Sequence, residues 1–294
     1  MLDFAPVEFC SVKNSETRSR KGKVLKPDAI DILKVRHGLR VLVRLVASSS
    51  FPYDLGYHHN LQSLIYSLTR GTEYSGLHDQ DGCRFFSFSN LIPPSPIVKK
   101  GSERSLIIAS PDNHFIETLS KRLYQLSGRE VRIGSMTFTV KGVRLFDLAL
   151  PEDDFREFTL TSGTPIIVRI PRYRYEEYGI EPKKNYEYAY WRKEYTPTAF
   201  LKQVEENLTK KYGEYAGKQP EPNPIFDRLR FKKEVAIPIQ MKGKESTVIG
   251  TLWEFHLQAS NGQIRDILQL GLDAGFGEMN SLGFGFMNIA EHDR

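Results

Sequence analysis

The amino-acid sequence predicts one order of strands and helices twice over, and this repetition is the feature that most limits the possible folds. The first copy begins at residues 39–48, which are rich in Val and Leu as in a buried strand. The next segment carries apolar side chains at the i, i+3, i+4, i+7 spacing of an amphipathic helix, and they are Leu61, Leu64, Ile65 and Leu68. The first half of the chain therefore starts with a strand followed by a helix.

Further segments complete the first copy. Aromatic and small residues alternate at 84–90, and an apolar run at 105–110 predicts another strand. Ser110-Pro111 has the residue types of a helix N-cap and first turn, and Gly128 is a stop signal for that helix. Residues 131–146 predict one or two closing strands, so the order is β-α-β-β-α-β.

The same order returns in the second half. The segment PIIVRIP at 165–171 is similar to VLVRLV at 41–46 and predicts the first strand of the second copy. Thr196-Pro197 predicts the start of a helix. The remaining patterns are strands at 225–240 and 247–258, a short helix that bears Ile264, Ile267 and Leu268, and a last strand at 284–290.

Two consecutive βαββαβ units predict an α+β protein with two tandem ferredoxin-like (RRM-like) domains and a C-terminal glycine-rich loop. We assign residues 1–36 to an N-terminal extension, 37–152 to the first domain and 153–294 to the second. Because this fold hosts RNA, metal, small-molecule and protein binding, the function has to be argued from a site.

Composition excludes several classes of chemistry. The net charge of +5 and the pI near 9.0 favour a polyanionic partner. Cys10 and Cys83 have no paired spacing, which excludes a disulfide framework and an iron–sulfur cluster held by cysteines, and fits a reducing cytoplasm. No two histidines have the His-x-x-x-His spacing, so we expect no metal and no cofactor. No run of about 18 apolar residues occurs, and Asp3 and Glu8 interrupt any signal peptide, so we expect a cytoplasmic protein without a membrane partner.

A glycine run near the C-terminus is the first candidate site. Five glycines fall within fifteen residues, namely Gly271, Gly275, Gly277, Gly283 and Gly285. Glycine lets the backbone approach another group closely, and it can expose N–H groups to an anion. A Walker loop is excluded because no Gly-Lys-Ser/Thr follows, and a dinucleotide fingerprint is excluded because a strand follows rather than a helix. The run therefore indicates phosphate binding or close backbone approach, with an irregular connection as the alternative.

Tyr66 and His78 form the second candidate. Tyr66 lies on the side of its helix away from the apolar stripe, which directs its hydroxyl away from that helix's core contacts. His78 follows in the polar loop LHDQDG, and histidine is the natural proton-transfer group at neutral pH. The alternative is an ordinary solvated loop histidine.

The third candidate is basic. Residues 228–244 carry six basic side chains against Glu234 alone, and they are Arg228, Arg230, Lys232, Lys233, Lys242 and Lys244. Arg228, Arg230 and Lys232 alternate, so they are expected on one face of a strand. Such a hairpin binds phosphates, or it is a solvated edge that discourages aggregation.

Together these segments carry a family resemblance. The sequence GFGEMNSLGFGFMNI at 275–289 resembles the C-terminal glycine-rich loop of the CRISPR-associated endoribonucleases of the sixth Cas family, which belong to the RAMP superfamily. The N-terminal half is similar as well, with LQSLIY at 61–66, LH at 77–78 and FSFS at 86–89. The resemblance covers residues 38–290 and leaves the N-terminal extension without a counterpart.

The resemblance implies a fold, a reaction and catalytic roles. The fold is two ferredoxin-like domains with the glycine-rich loop at their junction. The reaction is metal-independent cleavage of precursor CRISPR RNA, in which a 2′-hydroxyl attacks the scissile phosphate and leaves a 2′,3′-cyclic phosphate and a 5′-hydroxyl. Tyr66 and His78 match the family's tyrosine and histidine, as proton-transfer groups or, for Tyr66, as a phosphate orienter. Arg84 stands where the family has a lysine, and it suits electrostatic stabilisation better than proton donation.

The resemblance also implies binding residues and partners. The basic hairpin engages the phosphates of CRISPR repeat RNA, and Gly275, Gly277, Ser281, Gly283 and Gly285 form the loop part of that surface. Effector-complex Cas proteins are further candidate partners, and no DNA is required. Two other functions stay open at this point: a non-catalytic subunit that holds CRISPR RNA in an effector complex, and a ferredoxin-like protein-interaction module.

Overall fold

A computed structural model describes residues 38–54, 56–78, 82–151, 157–181, 186–241, 244–258 and 262–290 of the chain. The N-terminal extension expected at 1–36 lies outside the described residues. The described chain is a mixed α+β structure in which each half consists of an antiparallel sheet with helices packed on one face. None of the described helices is long and apolar enough to cross a membrane.

The first half contains nine elements in chain order. They are β1 (Leu39–Ala47), β2 (Phe51–Pro52), α1 (His58–Leu68), β3 (Ser87–Phe88), β4 (Ile97–Val98), β5 (Glu103–Ala109), α2 (Asn113–Gln125), β6 (Glu130–Ile133) and β7 (Met136–Asp147). The main sheet has the order β3-β5-β1-β7-β6, and β2 pairs with β4 separately. Alternate residues of β1 are buried against the helices, because successive side chains on a strand point to opposite faces.

The helices of this half follow from their apolar faces and caps. Leu61 and Ile65 of α1 are buried in the first core, as the stripe predicts. The second helix begins later than predicted, since Asp112 is the N-cap of α2 and accepts a hydrogen bond from the amide of Phe115. Ser110 is occupied elsewhere, because its hydroxyl donates to the carbonyl of Phe85.

The second half contains eight elements. They are β8 (Glu157–Ser162), β9 (Arg169–Pro171), β10 (Tyr188–Tyr190), α3 (Pro197–Ala216), β11 (Arg228–Met241), β12 (Lys244–Gln258), α4 (Gly262–Ala274) and β13 (Met287–Ile289). The sheet has the order β11-β12-β8-β13, and β9 pairs with β10 apart from it. Thr196 is the N-cap of α3 with Pro197 in the first turn, which confirms that predicted start.

Two predicted strands are wrong. The segment PIIVRIP is not the first strand of the second sheet, because β8 takes that place and pairs with β12 and β13. Ile166 and Ile167 make only isolated bridges, and Ile167 packs in a small core with Leu282 and Phe284. Burial of this apolar run therefore comes from the glycine-rich loop above it. The predicted strand at 84–90 is reduced to the two residues of β3.

The strand order repeats between the halves. With the strands of each half numbered 1 to 4 in chain order, β3-β5-β1-β7 and β11-β12-β8-β13 both read 2-3-1-4. A helix follows the first and the third of these strands in each half. The repetition inferred from the sequence is thus present in the connectivity.

A buried arginine joins the halves. Arg40 of β1 is fully buried and donates to Asn288 Oδ1 (2.9 Å), the Leu272 carbonyl (2.8 Å) and the Met287 carbonyl (3.1 Å). Its guanidinium also lies over the ring of Phe286, 5.0 Å from the centroid. These contacts place the start of β1 directly beside the last helix and strand, so the glycine-rich loop between α4 and β13 lies at the junction.

Candidate active site

The glycine-rich loop is a tightly packed connection from α4 to β13. Four of its glycines have positive φ, namely Gly275 (95°), Gly277 (66°), Gly283 (82°) and Gly285 (65°). A Cβ at Gly285 would collide with the carbonyl oxygen of Phe276, and a Cβ at Gly283 would collide with the ring of Phe88. Gly271 lies within α4. The loop therefore requires glycine both for conformation and for space.

Several of the loop amides bond within the protein. The amide of Gly275 donates to the Gly271 carbonyl (2.8 Å), that of Gly283 to the Asn280 carbonyl (2.7 Å), and that of Gly285 to the Pro165 carbonyl (2.9 Å). The expectation that the run exposes its N–H groups to an anion is therefore wrong at these glycines. Of the two purposes considered, the geometry shows close backbone approach.

Helix α1 holds the tip of this loop. The Nδ1 atom of His58 lies 2.7 Å from the Leu282 carbonyl oxygen, and the imidazole stacks between Tyr57 and Phe284. Burial lowers the pKa of His58 to about 4, so the ring is neutral at pH 7 and Nδ1 is assigned as the donor. One turn along the helix, Gln62 donates to the Ser281 hydroxyl at 3.0 Å. The sequence did not identify His58 or Gln62, because both act through contacts far apart in the chain.

Tyr66, His78, Arg84 and Ser281 converge beside this contact. The rings of Tyr66 and His78 lie edge to face with their centroids 5.7 Å apart. The Tyr66 hydroxyl has hydrogen-bonding contacts with Ser281 and Arg84. Partial burial raises the pKa of Tyr66, although the Arg84 charge and these two hydrogen bonds oppose the rise. The three residues singled out as catalytic in the sequence thus lie together in the fold.

The orientation of Tyr66 differs in part from the prediction. Its hydroxyl points toward the loop, but its ring packs partly on the first core and meets Phe86 edge to face at 6.1 Å. The helix face opposite the apolar stripe is covered here by the segment before β3. Packing on both sides fixes the ring and so fixes the hydroxyl.

Arg84 closes the loop that carries His78. Its Nε donates to the Leu77 carbonyl at 3.2 Å, and a terminal nitrogen donates to the His78 carbonyl at 3.0 Å. His78 is exposed, so its imidazole is accessible to a large substrate. Arg84 therefore combines a positive charge beside Tyr66 with a structural hold on the backbone of His78.

The basic hairpin is less uniformly positive than the sequence indicates. A β-bulge interrupts the pairing between Phe231 and Lys233. Arg230 and Lys232 both approach the carboxylate of Glu254 on β12, at 3.6 and 2.7 Å. Arg228 lies 3.9 Å from Glu157. Counting charges along one strand missed these acidic partners, because they are contributed by neighbouring strands.

Other predicted binding residues differ in what the structure describes. Lys233 lies on β11 and is half-buried. Lys244 begins β12, and Lys242 lies outside the described residues. Among the described residues, no group of three or more His, Cys, Asp or Glu side chains could hold a metal ion.

Comparison with known proteins places the chain in a class of CRISPR-associated proteins. The family model described as "CRISPR associated protein Cas6, C-terminal" matches residues 149–289. A relative from Haloferax mediterranei, named CRISPR-associated endoribonuclease Cas6, is 30% identical over 259 residues, which cover 86% of this chain and 94% of the relative. A relative from Methanocaldococcus jannaschii, named CRISPR-associated endoribonuclease Cas6 2, is 31% identical over 257 residues, covering 85% and 99%.

The fold agrees with these relationships. A solved structure described as "CRISPR associated protein Cas6" superposes with a TM-score of 0.63 at 22% identity, over 86% of this chain and 100% of the other. The chain belongs to the Cas6 family. The resemblance found in the sequence is thereby confirmed.

Proposed function

We propose that the chain is a metal-independent endoribonuclease that cleaves precursor CRISPR RNA within its repeats. The observation that carries this proposal is the convergence of Tyr66, His78 and Arg84 against Ser281 of the glycine-rich loop. The names of the two relatives, both CRISPR-associated endoribonucleases, support it.

The architecture of the proposal is two ferredoxin-like domains, residues 37–152 and 153–294, with the site at their junction. The 2-3-1-4 strand order in both sheets and the helices after the first and third strands support this assignment. The loop between α4 and β13 then brings Ser281 of the second domain to Tyr66 of the first.

The proposed reaction uses the RNA's own nucleophile. The 2′-oxygen upstream of the scissile phosphate attacks phosphorus, and the bond from phosphorus to the 5′-oxygen breaks. The products are a 2′,3′-cyclic phosphate and a 5′-hydroxyl. One proton leaves the 2′-hydroxyl and one is delivered to the 5′-oxygen, so the site needs a base and an acid.

Tyr66 and His78 supply these roles. Because its pKa is raised, Tyr66 keeps its proton at neutral pH and acts as a donor, either to the leaving 5′-oxygen or to a phosphate oxygen. His78 then acts as the base toward the 2′-hydroxyl. If Tyr66 only orients the phosphate, His78 is the acid. The exposed imidazole beside the phenol allows both groups to contact one phosphodiester.

Arg84 stabilises the charge that develops on phosphorus. Arginine stays charged throughout the accessible pH range, so it stabilises the pentacoordinate intermediate electrostatically and is not a proton donor. Its two bonds to the backbone at Leu77 and His78 hold the charge in place before the substrate binds.

Binding of the repeat is assigned to the basic hairpin and the loop. Arg228, Arg230, Lys232, Lys233, Lys242 and Lys244 would contact phosphates, and Ser281 offers a hydroxyl at the site itself. Gly275, Gly277, Gly283 and Gly285 would contribute by giving the loop its shape. Binding that rests on phosphate contacts weakens steeply with salt.

Incubating the protein with repeat RNA in EDTA, beside an RNA with one 2′-deoxy sugar at the scissile nucleotide, tests the function. Cleavage in EDTA that the deoxy sugar abolishes is the expected result. Binding without cleavage would instead identify a non-catalytic CRISPR RNA-binding subunit, and cleavage that persists with the deoxy sugar would overturn the mechanism.

A further inference from the structure

Lys211 is a buried cation beneath the glycine-rich loop. It lies in the last part of α3, and only 4% of the residue is exposed. Its ammonium donates to the Gly275 carbonyl (2.8 Å), the Gly277 carbonyl (2.7 Å) and Asn280 Oδ1 (2.6 Å). An ammonium has three N–H groups, so all three are used on this one loop.

The acceptors explain the shape of the loop. Asn280 accepts from Lys211, and its own amide group donates to the Phe276 carbonyl (3.0 Å) and the Phe284 carbonyl (2.9 Å). The Lys211 and Asn280 side chains together bond to the backbone on both sides of the loop. They form a hub around which residues 275–285 are wound.

This hub lies one residue from the candidate active site. Ser281 follows Asn280 and contacts Tyr66 and Gln62, and Leu282 accepts from His58. On the same face of α3, one turn later, the Glu214 carboxylate accepts from the amide of Cys83, the residue before Arg84. Helix α3 therefore supports both the loop and the segment that carries Arg84.

The charge of Lys211 is costly where it lies. Its hydrogen-bond acceptors are amide oxygens, and the ionisable groups that face it are Cys83, Glu214 and Glu278. Burial lowers its pKa to about 7 despite the attraction of these groups. A lysine that only filled space would be replaced by an apolar side chain without this cost, which indicates that its hydrogen bonds serve a purpose.

We propose that Lys211 is a positioning residue for RNA cleavage: its ammonium holds the glycine-rich loop in the form that presents Ser281 to Tyr66. This proposal rests on the proposed function of the Tyr66 and His78 site. Lys211 itself is buried under the loop, so it acts on the reaction through Asn280 and Ser281.

The test compares Lys211→Met with Lys210→Met in the full chain. Lys210 is its neighbour on α3, with 72% of its side chain exposed. Because small displacements in an active site cost up to about 100-fold in rate, Lys211→Met is expected to lower the single-turnover cleavage rate by about 10- to 100-fold at saturating protein. Its repeat-RNA Kd should stay within about twofold of the wild type, since Lys211 is not placed in contact with RNA. Lys210→Met should cleave and bind as the wild type does.

A double variant decides whether Lys211 acts through Ser281. In a Ser281→Ala background the loss from Lys211→Met should largely disappear, because effects along one chain of contacts are not additive. An unchanged rate in Lys211→Met, or fully additive losses, would overturn the proposal. If circular dichroism shows Lys211→Met unfolded, Ser281→Ala alone carries the test: a slower rate at equal affinity supports the proposal, and a wild-type rate overturns it.

Failure of this proposal is distinct from failure of the proposed function. A wild-type chain that leaves repeat RNA uncut overturns both. A wild-type chain that cuts, together with a folded Lys211→Met variant that cuts equally fast, overturns only the role of Lys211.

Discussion

The imidazole Nδ1 of His58 lies 2.7 Å from the carbonyl oxygen of Leu282, although the two residues are 224 positions apart in the chain. This contact joins the first turn of α1 to the tip of the glycine-rich loop. Since α1 also carries Gln62 and Tyr66, the loop and the candidate catalytic helix are held as one unit.

Burial of His58 makes stability depend on pH. Its pKa is about 4 in the folded chain against 6.5 for the free side chain, so the unfolded chain binds an additional proton between these values. The free energy of unfolding should therefore fall as the pH drops from about 6.5 to about 4, by up to about 3 kcal/mol. His58→Phe keeps an aromatic ring between Tyr57 and Phe284 and removes the titrating group.

Urea unfolding at several pH values measures this effect. The wild-type curve should be steeper than that of His58→Phe between pH 6.5 and 4, even though the variant is less stable at pH 7 because the Leu282 carbonyl has lost its donor. Parallel curves for the two proteins would show that His58 is not the group responsible.

Gly285 tests the packing of the loop. In Gly285→Ala the new methyl group meets the backbone oxygen of Phe276, which cannot move aside as a flexible side chain would. Gly128 has a similar φ of 74° but open space around it, so Gly128→Ala isolates the cost of the conformation. Thermal or urea unfolding should show a loss of about 1 kcal/mol for Gly128→Ala and at least about 3 kcal/mol for Gly285→Ala. Equal losses would mean that the close approach at Gly285 is absent.

The hairpin prediction concerns charge. Arg230→Ala and Lys232→Ala should each weaken repeat-RNA binding and reduce the slope of log Kd against log salt by about one. Glu254→Gln should act in the opposite direction, because it removes the carboxylate that both cations approach. Lys121→Ala, an exposed change on α2, is the control. Salt titrations by filter binding or fluorescence anisotropy measure all four, and weaker binding by Glu254→Gln would contradict the assignment.

Local patterns predicted the elements well and their contacts poorly. The stripe of α1, the cap at Thr196 and the repeated order depend on residues close together in sequence, so periodicity and cap chemistry were sufficient. The burial of Ile166 and Ile167 depends on a loop more than a hundred residues later, and their apolar run was therefore mistaken for a central strand.

The site shows the same division. Tyr66 and His78 could be found because their residue types and a family resemblance point to proton transfer, and the structure brings them together. Lys211 and His58 could not be found, since a lysine on a long helix and a histidine at a helix start have no local signal for burial. Only the approach of α1 and α3 to the glycine-rich loop gives these two residues their surroundings.

The rate of RNA cleavage by His78→Ala tests the central claim most directly. Single-turnover cleavage of repeat RNA at saturating protein should slow by about 10²- to 10⁴-fold, the usual contribution of general acid–base catalysis, while the Kd for the same RNA stays near the wild-type value. A His78→Ala variant that binds the RNA and cuts it at the wild-type rate would remove His78 from the mechanism and contradict the proposed site.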